Sequence, residues 1–284
     1  MKERAYAKIN LCLDVVRRRE DGYHDLKMIM VPVDFYDLLD IVPAAETTLK
    51  LNRSYLPVNE KNTVIKAIQV MRERFGFREE FACTLAKHIP TQAGLAGGSA
   101  DAAAAIRILN RMLKLNLTIG EMAEIGRQVG SDVPFCVINK PALVEGTGEI
   151  ITPFTCPADF LILLVKPRRG ISTKVAFENL DIAAADHPDC EKMRAALISG
   201  DYGGVIAALG NTLEEISLKL VPEIRQIKEE LTEMGFDGVL MSGSGSTVFA
   251  ITRNGKLVER ARNIMWNRRY FVRVTRILNG KEEK

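Results

Sequence analysis

Over residues 7–15 the apolar side chains fall on alternate positions: Ala7, Ile9, Leu11, Leu13 and Val15. A period of two predicts a strand with one buried face. The other face carries Lys8, Asn10, Cys12 and Asp14, and Lys8 and Asn10 then point the same way with Cα atoms about 7 Å apart. A turn-rich stretch follows at 17–24, marked by Asp21-Gly22. Residues 26–33 and 38–43 read as two further strands, separated by the polar Asp34-Phe35-Tyr36-Asp37.

Val64, Ile65, Ile68 and Met71 recur at helical spacing, which predicts a helix over 62–75. Residues 81–85 form a short strand, and a glycine-rich segment then runs directly into an alanine-rich helix ending near 113. Thr118 and Glu121 have the spacing of a capping box for a helix that stops near Gly130. Residues 130–135 read as a turn leading into new structure. The prolines and lost periodicity at 152–157 mark a boundary, giving domains at 1–154 and 155–284. Beyond it lie a strand at 160–165, helical patterns over 190–234, a strand, glycine turn and strand over 239–251, a helix at 256–267 and a strand at 270–277. Helices and neighbouring antiparallel strands in both halves make the fold class α+β.

At 47% hydrophobic and 26% charged residues the chain has the balance of a globular protein rather than a disordered or membrane one. Its net charge of +3 gives no case for a nucleic acid or an anionic membrane as partner. Cys12, Cys83, Cys136, Cys156 and Cys190 are odd in number and form no C-x-x-C pair. They are therefore expected as separate reduced thiols in a cytoplasmic protein. His24, His88 and His187 have no metal-ligand spacing, and no metal site held by the protein alone is expected. Lys8 and Asn10 interrupt the apolar stretch that a signal peptide would need, and residues 160–165 are too few to span a bilayer.

Three places could carry chemistry. In Gly94-Leu95-Ala96-Gly97-Gly98, glycines allow tight turns and bring amide N–H groups close to a ligand. The helix that begins there adds unsatisfied N–H groups and a positive dipole end, both suited to phosphate. No Gly-Lys-Ser or Gly-Lys-Thr closes the loop, so it is not a Walker A loop, and a plain loop entering a buried helix has the same composition. Asp132 stands in a turn before Val133-Pro134, where it could take a proton from a hydroxyl or simply cap its own backbone. The strand face of Lys8 and Asn10, with Tyr23 and His24 nearby in sequence, is the third.

Taken in order, Ala7-Lys8-Ile9-Asn10-Leu11, the segment from Pro90 to Asp101 and the segment from Met241 to Phe249 with its Gly243-Ser244-Gly245 turn resemble the three motifs of the GHMP kinase superfamily. Asp21-Gly22-Tyr23-His24, Gly130-Ser131-Asp132-Val133-Pro134-Phe135 and Lys166-Pro167 strengthen the likeness, which spans roughly residues 5–252. The resemblance implies an N-terminal domain like the second domain of ribosomal protein S5, a ferredoxin-like C-terminal domain, and an active site between the two. It implies ATP as co-substrate with Mg²⁺, and a cytidyl-linked polyol of the non-mevalonate isoprenoid route as the alcohol. Asp132 and Lys8 would be catalytic. Asn10, Tyr23, His24 and Phe177 would bind the polyol substrate. Asn62 would lie near adenine, and Pro90, Ala93, Gly94, Leu95, Ala96, Gly97, Gly98, Ser99 and Ala100 would hold the ATP phosphates. Ala96 and Ala100 stand where relatives often carry glycine and serine. A different small alcohol, or a nucleotide-binding relative without turnover, are the alternatives, and a monomer or homodimer is expected.

Overall fold

The computed structural model describes residues 1–278, which divide into two compact units. The first comprises residues 1–7, 35–91 and 96–139, the second residues 8–34, 92–95 and 140 onward. Two long strands, β1 (Lys2–Arg18) and β2 (His24–Ala44), run through both.

In the first unit β3 (Thr48–Leu51), α1 (Thr63–Phe75), β4 (Glu80–Ala86), α2 (Gly97–Met112), α3 (Ile119–Val129) and α4 (Val133–Ile138) follow. Strand β4 runs antiparallel to the end of β2, from Leu38 opposite Ala86 to Ala44 opposite Glu80, and β3 lies parallel to β4. Helix α1 starts where the Asn62 side chain accepts a hydrogen bond from Val64 N–H, and it stops at Gly76, whose φ of 67° suits glycine. Its stripe of Val64, Ile68 and Met71 packs against α2, whose alanines are buried from Ala102 to Ala105. Small side chains there let the two helices approach closely. The capping box on α3 is present in both directions, Thr118 Oγ1 accepting from Glu121 N–H and Glu121 accepting from Thr118 N–H.

Two expectations change here. Strand β2 does not break at 34–37. Phe35 and Asp37 alternate inward with the strand's own period, and the buried Asp37 carboxylate is met by the Lys87 ammonium and by backbone amides at 88 and 89. A polar residue in a strand looks like a break only while its partner, fifty positions away, is out of sight. The turn at 130–135 is also shorter than expected, because α4 begins at Val133 with Pro134 in its first turn, where a missing N–H costs nothing.

In the second unit β5 (Ala142–Gly146) pairs antiparallel with the first part of β2, and β6 (Ile150–Pro153) with β5. Then come β7 (Leu161–Lys166), α5 (Thr173–Glu178), a 3₁₀ turn at Ile182–Ala184, α6 (Cys190–Ser199), α7 (Tyr202–Ala207), β8 (Gly210–Asn211), α8 (Glu214–Leu220), α9 (Glu223–Glu233), β9 (Gly238–Met241), β10 (Val248–Thr252), α10 (Gly255–Asn267) and β11 (Phe271–Thr275). Strand β8 lies parallel to β1, with Cys12 opposite Gly210. A second sheet has the order β11-β7-β10-β9 with every neighbour antiparallel. Helices separate β7 from β9 and β10 from β11, so this is the βαββαβ arrangement of a ferredoxin-like domain.

The cysteines depart from expectation. Cys12 on β1 and Cys190 at the start of α6 form a disulfide, with Cα atoms 5.6 Å apart across 178 residues of sequence. Spacing along a chain carries no information about such a pairing, which depends on where the fold brings two Cβ vectors. Cys83, Cys136 and Cys156 are buried and lie outside the disulfide, as expected. No helix among the described residues is long and apolar enough to cross a membrane.

Candidate active site

The glycine-rich segment begins where β4 ends. In the first unit Asp37 Oδ1 accepts from the backbone N–H of Ile89 at 2.8 Å and from that of His88, which fixes the chain as it leaves the strand. Helix α2 opens after Ala96, a left-handed residue at φ 54°, and no side chain caps it. Its first amides, on Gly97, Gly98 and Ser99, therefore receive no protein side-chain acceptor from the capping position. Gly97 has a second reason to be glycine, since a Cβ there would lie 2.9 Å from Ile89 Cγ2. Thr63 Oγ1 donates to Gly98 O at 2.7 Å, tying α2's first turn to α1. Ser99 is half-buried and Ala100 buried, so Ser99 presents the hydroxyl of this turn. Asn62 is nearly buried, and its Nδ2 donates to Pro57 O at 2.8 Å while its Oδ1 caps α1.

Residues 92–95, in the middle of the same segment, belong to the second unit. Lys8 N–H donates to Leu95 O at 3.2 Å, Thr247 N–H to Ala93 O at 3.3 Å and Ser242 Oγ to Gly94 O at 3.0 Å. Gly94 has φ +71°, and a Cβ on it would fall 2.0 Å from Ser242 O. Backbone meets backbone here with no room for a side chain.

Lys8 and Asn10 are buried and touch, Lys8 Nζ donating to Asn10 Oδ1 at 2.7 Å. Asn10 N–H also donates to Ser242 Oγ at 3.3 Å. The 242–246 turn is held from several sides. Asn211 Nδ2 donates to Met241 O at 2.9 Å and to Gly243 O at 2.8 Å, while Ser217 Oγ reaches Ser244 O at 3.2 Å. Ser246 Oγ donates to Arg169 O at 2.6 Å, and Thr173 and Ser244 hydroxyls are 2.9 Å apart. The sequence alone gives no sign of Asn211 or Ser217. Asn211 sits in a two-residue strand inside a stretch that reads as helical, and nothing local signals it.

Asp132 precedes α4 at φ −85° and ψ −8°, and its side chain makes no capping hydrogen bond to that helix. The turn is set instead by close packing. A Cβ on Gly126 of α3 would lie 2.8 Å from Val133 Cγ1, so only glycine lets α3 and α4 come this near. Arg107 on α2 donates to Cys136 O at 2.8 Å and so satisfies a carbonyl near the end of α4.

At the start of β2, Arg17 Nε donates to Asp25 at 2.6 Å and Asp21 accepts from Tyr23 N–H at 3.0 Å, which shapes the turn before His24. The His24 ring lies against Phe177 of α5, with centroids 4.9 Å apart and planes tilted by 30°. Burial lowers the His24 pKa below its ordinary 6.5, and the nearby Arg18 adds to the shift, so the imidazole is neutral at pH 7. A neutral ring offers one donor and one acceptor nitrogen. Tyr23 is 66% exposed and its ring is available to stack. Among the described residues no group of three or more His, Cys, Asp or Glu side chains could hold a metal.

The model of the family described as GHMP kinases N terminal domain matches residues 62–140, and that described as GHMP kinases C terminal matches residues 193–271. A protein of Geobacillus thermodenitrificans named 4-diphosphocytidyl-2-C-methyl-D-erythritol kinase is 44% identical over 264 residues, 92% of this chain and 91% of that one. A protein of the same name from Exiguobacterium sibiricum is 44% identical over 262 residues, 92% of each. The crystal structure of a 4-(cytidine 5'-diphospho)-2C-methyl-D-erythritol kinase superposes with a TM-score of 0.81 at 28% identity, covering 97% of this chain and 99% of that one.

Proposed function

Because the chain belongs to the GHMP kinase family, we propose that it transfers the γ-phosphate of ATP to the 2-hydroxyl of 4-diphosphocytidyl-2-C-methyl-D-erythritol, in non-mevalonate isoprenoid precursor synthesis. The substrate follows the name carried by its relatives at 44% identity. On this chain, the observation that carries the choice of alcohol is the neutral His24 packed against Phe177 beside an exposed Tyr23. A nucleobase offers a planar face to stack on an aromatic ring and an edge that pairs with both a donor and an acceptor.

The ATP phosphates rest on the loop formed by Pro90, Ala93, Gly94, Leu95, Ala96, Gly97, Gly98, Ser99 and Ala100, where α2 begins without a side-chain cap. Asn62, which anchors the segment before α1 through Pro57 O, borders the adenine. Mg²⁺ enters with ATP, since this ion keeps several waters and needs only one or two protein oxygens beside phosphate. The Ser99 hydroxyl is an oxygen of the right kind, and bound Mg²⁺ would neutralise phosphate charge.

Phosphoryl transfer asks for positioning and charge stabilisation more than covalent chemistry. Asp132 orients the attacking hydroxyl and takes its proton late in the transfer. Lys8 stabilises the developing alkoxide, and Asn10, held 2.7 Å from Lys8 Nζ, positions the hydroxyl. We place the division between the N- and C-terminal domains at 154/155 and the protein in the cytoplasm, acting as monomer or homodimer on small molecules with no nucleic-acid or membrane partner.

ATP consumption with Mg²⁺ and the cytidyl polyol, beside mevalonate and galactose, tests the proposal. Turnover on the cytidyl substrate alone is expected, with cytidine nucleotides as competitive inhibitors. Turnover on mevalonate or galactose, or ATP binding with no turnover on any of the three, would overturn it. The pH dependence is a second check. Affinity for the base is present above 6.5 and is lost as pH falls through the lower value of folded His24, where the ring gains a proton and its acceptor disappears. The KM for the cytidyl substrate therefore rises on acidification, and in His24→Gln that rise is absent.

A further inference from the structure

Beneath the phosphate loop of the first unit lies a buried charge cluster that the chemistry above does not use. Asp37 on β2, Lys87 just after β4 and Asp101 in α2 are all at least 95% inaccessible to solvent. Lys87 Nζ bonds Asp37 Oδ2 and lies 2.6 Å from Asp101 Oδ2. The second Asp37 oxygen accepts from the backbone N–H groups of His88 and Ile89. Asp101 is one helical turn on from Gly97, and a Cβ on Gly97 would come within 3.2 Å of Lys87 Nζ. The ammonium thus passes directly under the first residue of the helix, while the residues just before the loop are gripped by Asp37.

Such a cluster is a poor device for stability alone. Removing two carboxylates and an ammonium from water costs several kcal/mol per ion, and apolar replacements of similar volume are often no worse. Asp101 Oδ1 is moreover buried without a hydrogen-bond partner. Burial pushes the Asp101 carboxyl above the ordinary carboxylate range, Lys87 opposes that rise and Asp37 adds to it. What the cluster does accomplish is geometric. It connects the two ends of the loop, residues 87–89 and the first turn of α2, through one central cation.

We propose that the Asp37–Lys87–Asp101 cluster is a positioning element for the phosphate loop, holding the amides of Gly97, Gly98 and Ser99 at the spacing a triphosphate requires. The proposal rests on the reading that this loop holds ATP. None of the three residues is assigned contact with the nucleotide, so their removal acts on ATP affinity through the loop.

Two variants test it, Asp101→Asn and the triple variant Asp37→Asn/Lys87→Met/Asp101→Leu, which removes all three buried charges together and keeps an acceptor oxygen at position 37 for the amides of 88 and 89. Steady-state kinetics should show the KM for ATP raised tenfold or more in both. The KM for the cytidyl polyol should stay within twofold, and the triple variant should melt near the wild-type temperature. A triple variant that melts normally with a KM for ATP within twofold of wild type overturns the proposal. So does a variant whose melting falls while its KM for ATP is unchanged, which is the mark of a purely structural cluster. Hydrogen exchange of residues 96–100 in the wild type, with and without ATP, separates this from failure of the underlying reading. Slowed exchange with ATP is expected, and unchanged exchange would remove the loop assignment and the positioning role with it.

Discussion

Asp132→Asn should lower the turnover number by about 10²–10⁴ while leaving the fold and ATP binding in place. The size follows from the assigned role, since an amide can still orient a hydroxyl but cannot accept its proton. Preservation of the fold follows from the local structure. Asp132 makes no capping bond to α4, whose start is fixed by Pro134 and by Val133 packed on Gly126, and the substitution touches neither. Steady-state kinetics and calorimetric titration of ATP, beside a thermal melt, check the three parts together. Turnover near that of the wild type would remove Asp132 from the chemistry. A large fall in melting temperature with a proportionate loss of active protein would instead make it a structural residue.

What the sequence disclosed, it disclosed through local physics. The alternation over residues 7–15 placed Lys8 and Asn10 on one face, and there the two side chains meet at 2.7 Å. The capping box at Thr118 and the strand, glycine turn and strand around 242–246 were legible for the same reason, since each is complete within a few residues. What stayed hidden depends on distant partners. Asp37 looked like an interruption until Lys87 supplied its counter-charge. Asn211 holds the 242–246 turn from thirty positions away, and Cys12 meets Cys190 across most of the chain. The motif likeness recovered the order of the site segments, but not the side chains that brace them. Bracing residues answer to the fold, whereas motif residues answer to the ligand.

Gly94→Ala is expected to have the largest effect of the Gly→Ala changes among the described residues. At φ +71° an L-residue already costs about 1–2 kcal/mol. The added Cβ would also sit 2.0 Å from Ser242 O, a backbone atom with no flexible end to move aside. Ser242 is itself tied down, its N–H donating to Thr247 O at 2.9 Å and its hydroxyl to Gly94 O at 3.0 Å. To relieve the contact, residues 92–95 must leave Ser242, losing the bonds from Thr247 N–H to Ala93 O and from Lys8 N–H to Leu95 O. Steric strain and two lost backbone bonds together amount to about 3–5 kcal/mol, at the upper end for a single substitution. Denaturant unfolding should register that loss, and the folded fraction should bind ATP at least tenfold more weakly, because Lys8 and the phosphate loop share the displaced backbone. Gly98→Ala is the internal contrast. A Cβ there meets Thr63 no closer than 3.5 Å, an ordinary contact, so stability should change by less than about 1 kcal/mol. If Gly94→Ala unfolds no more readily than Gly98→Ala, the tight approach of Gly94 to Ser242 is not a constraint on the folded enzyme.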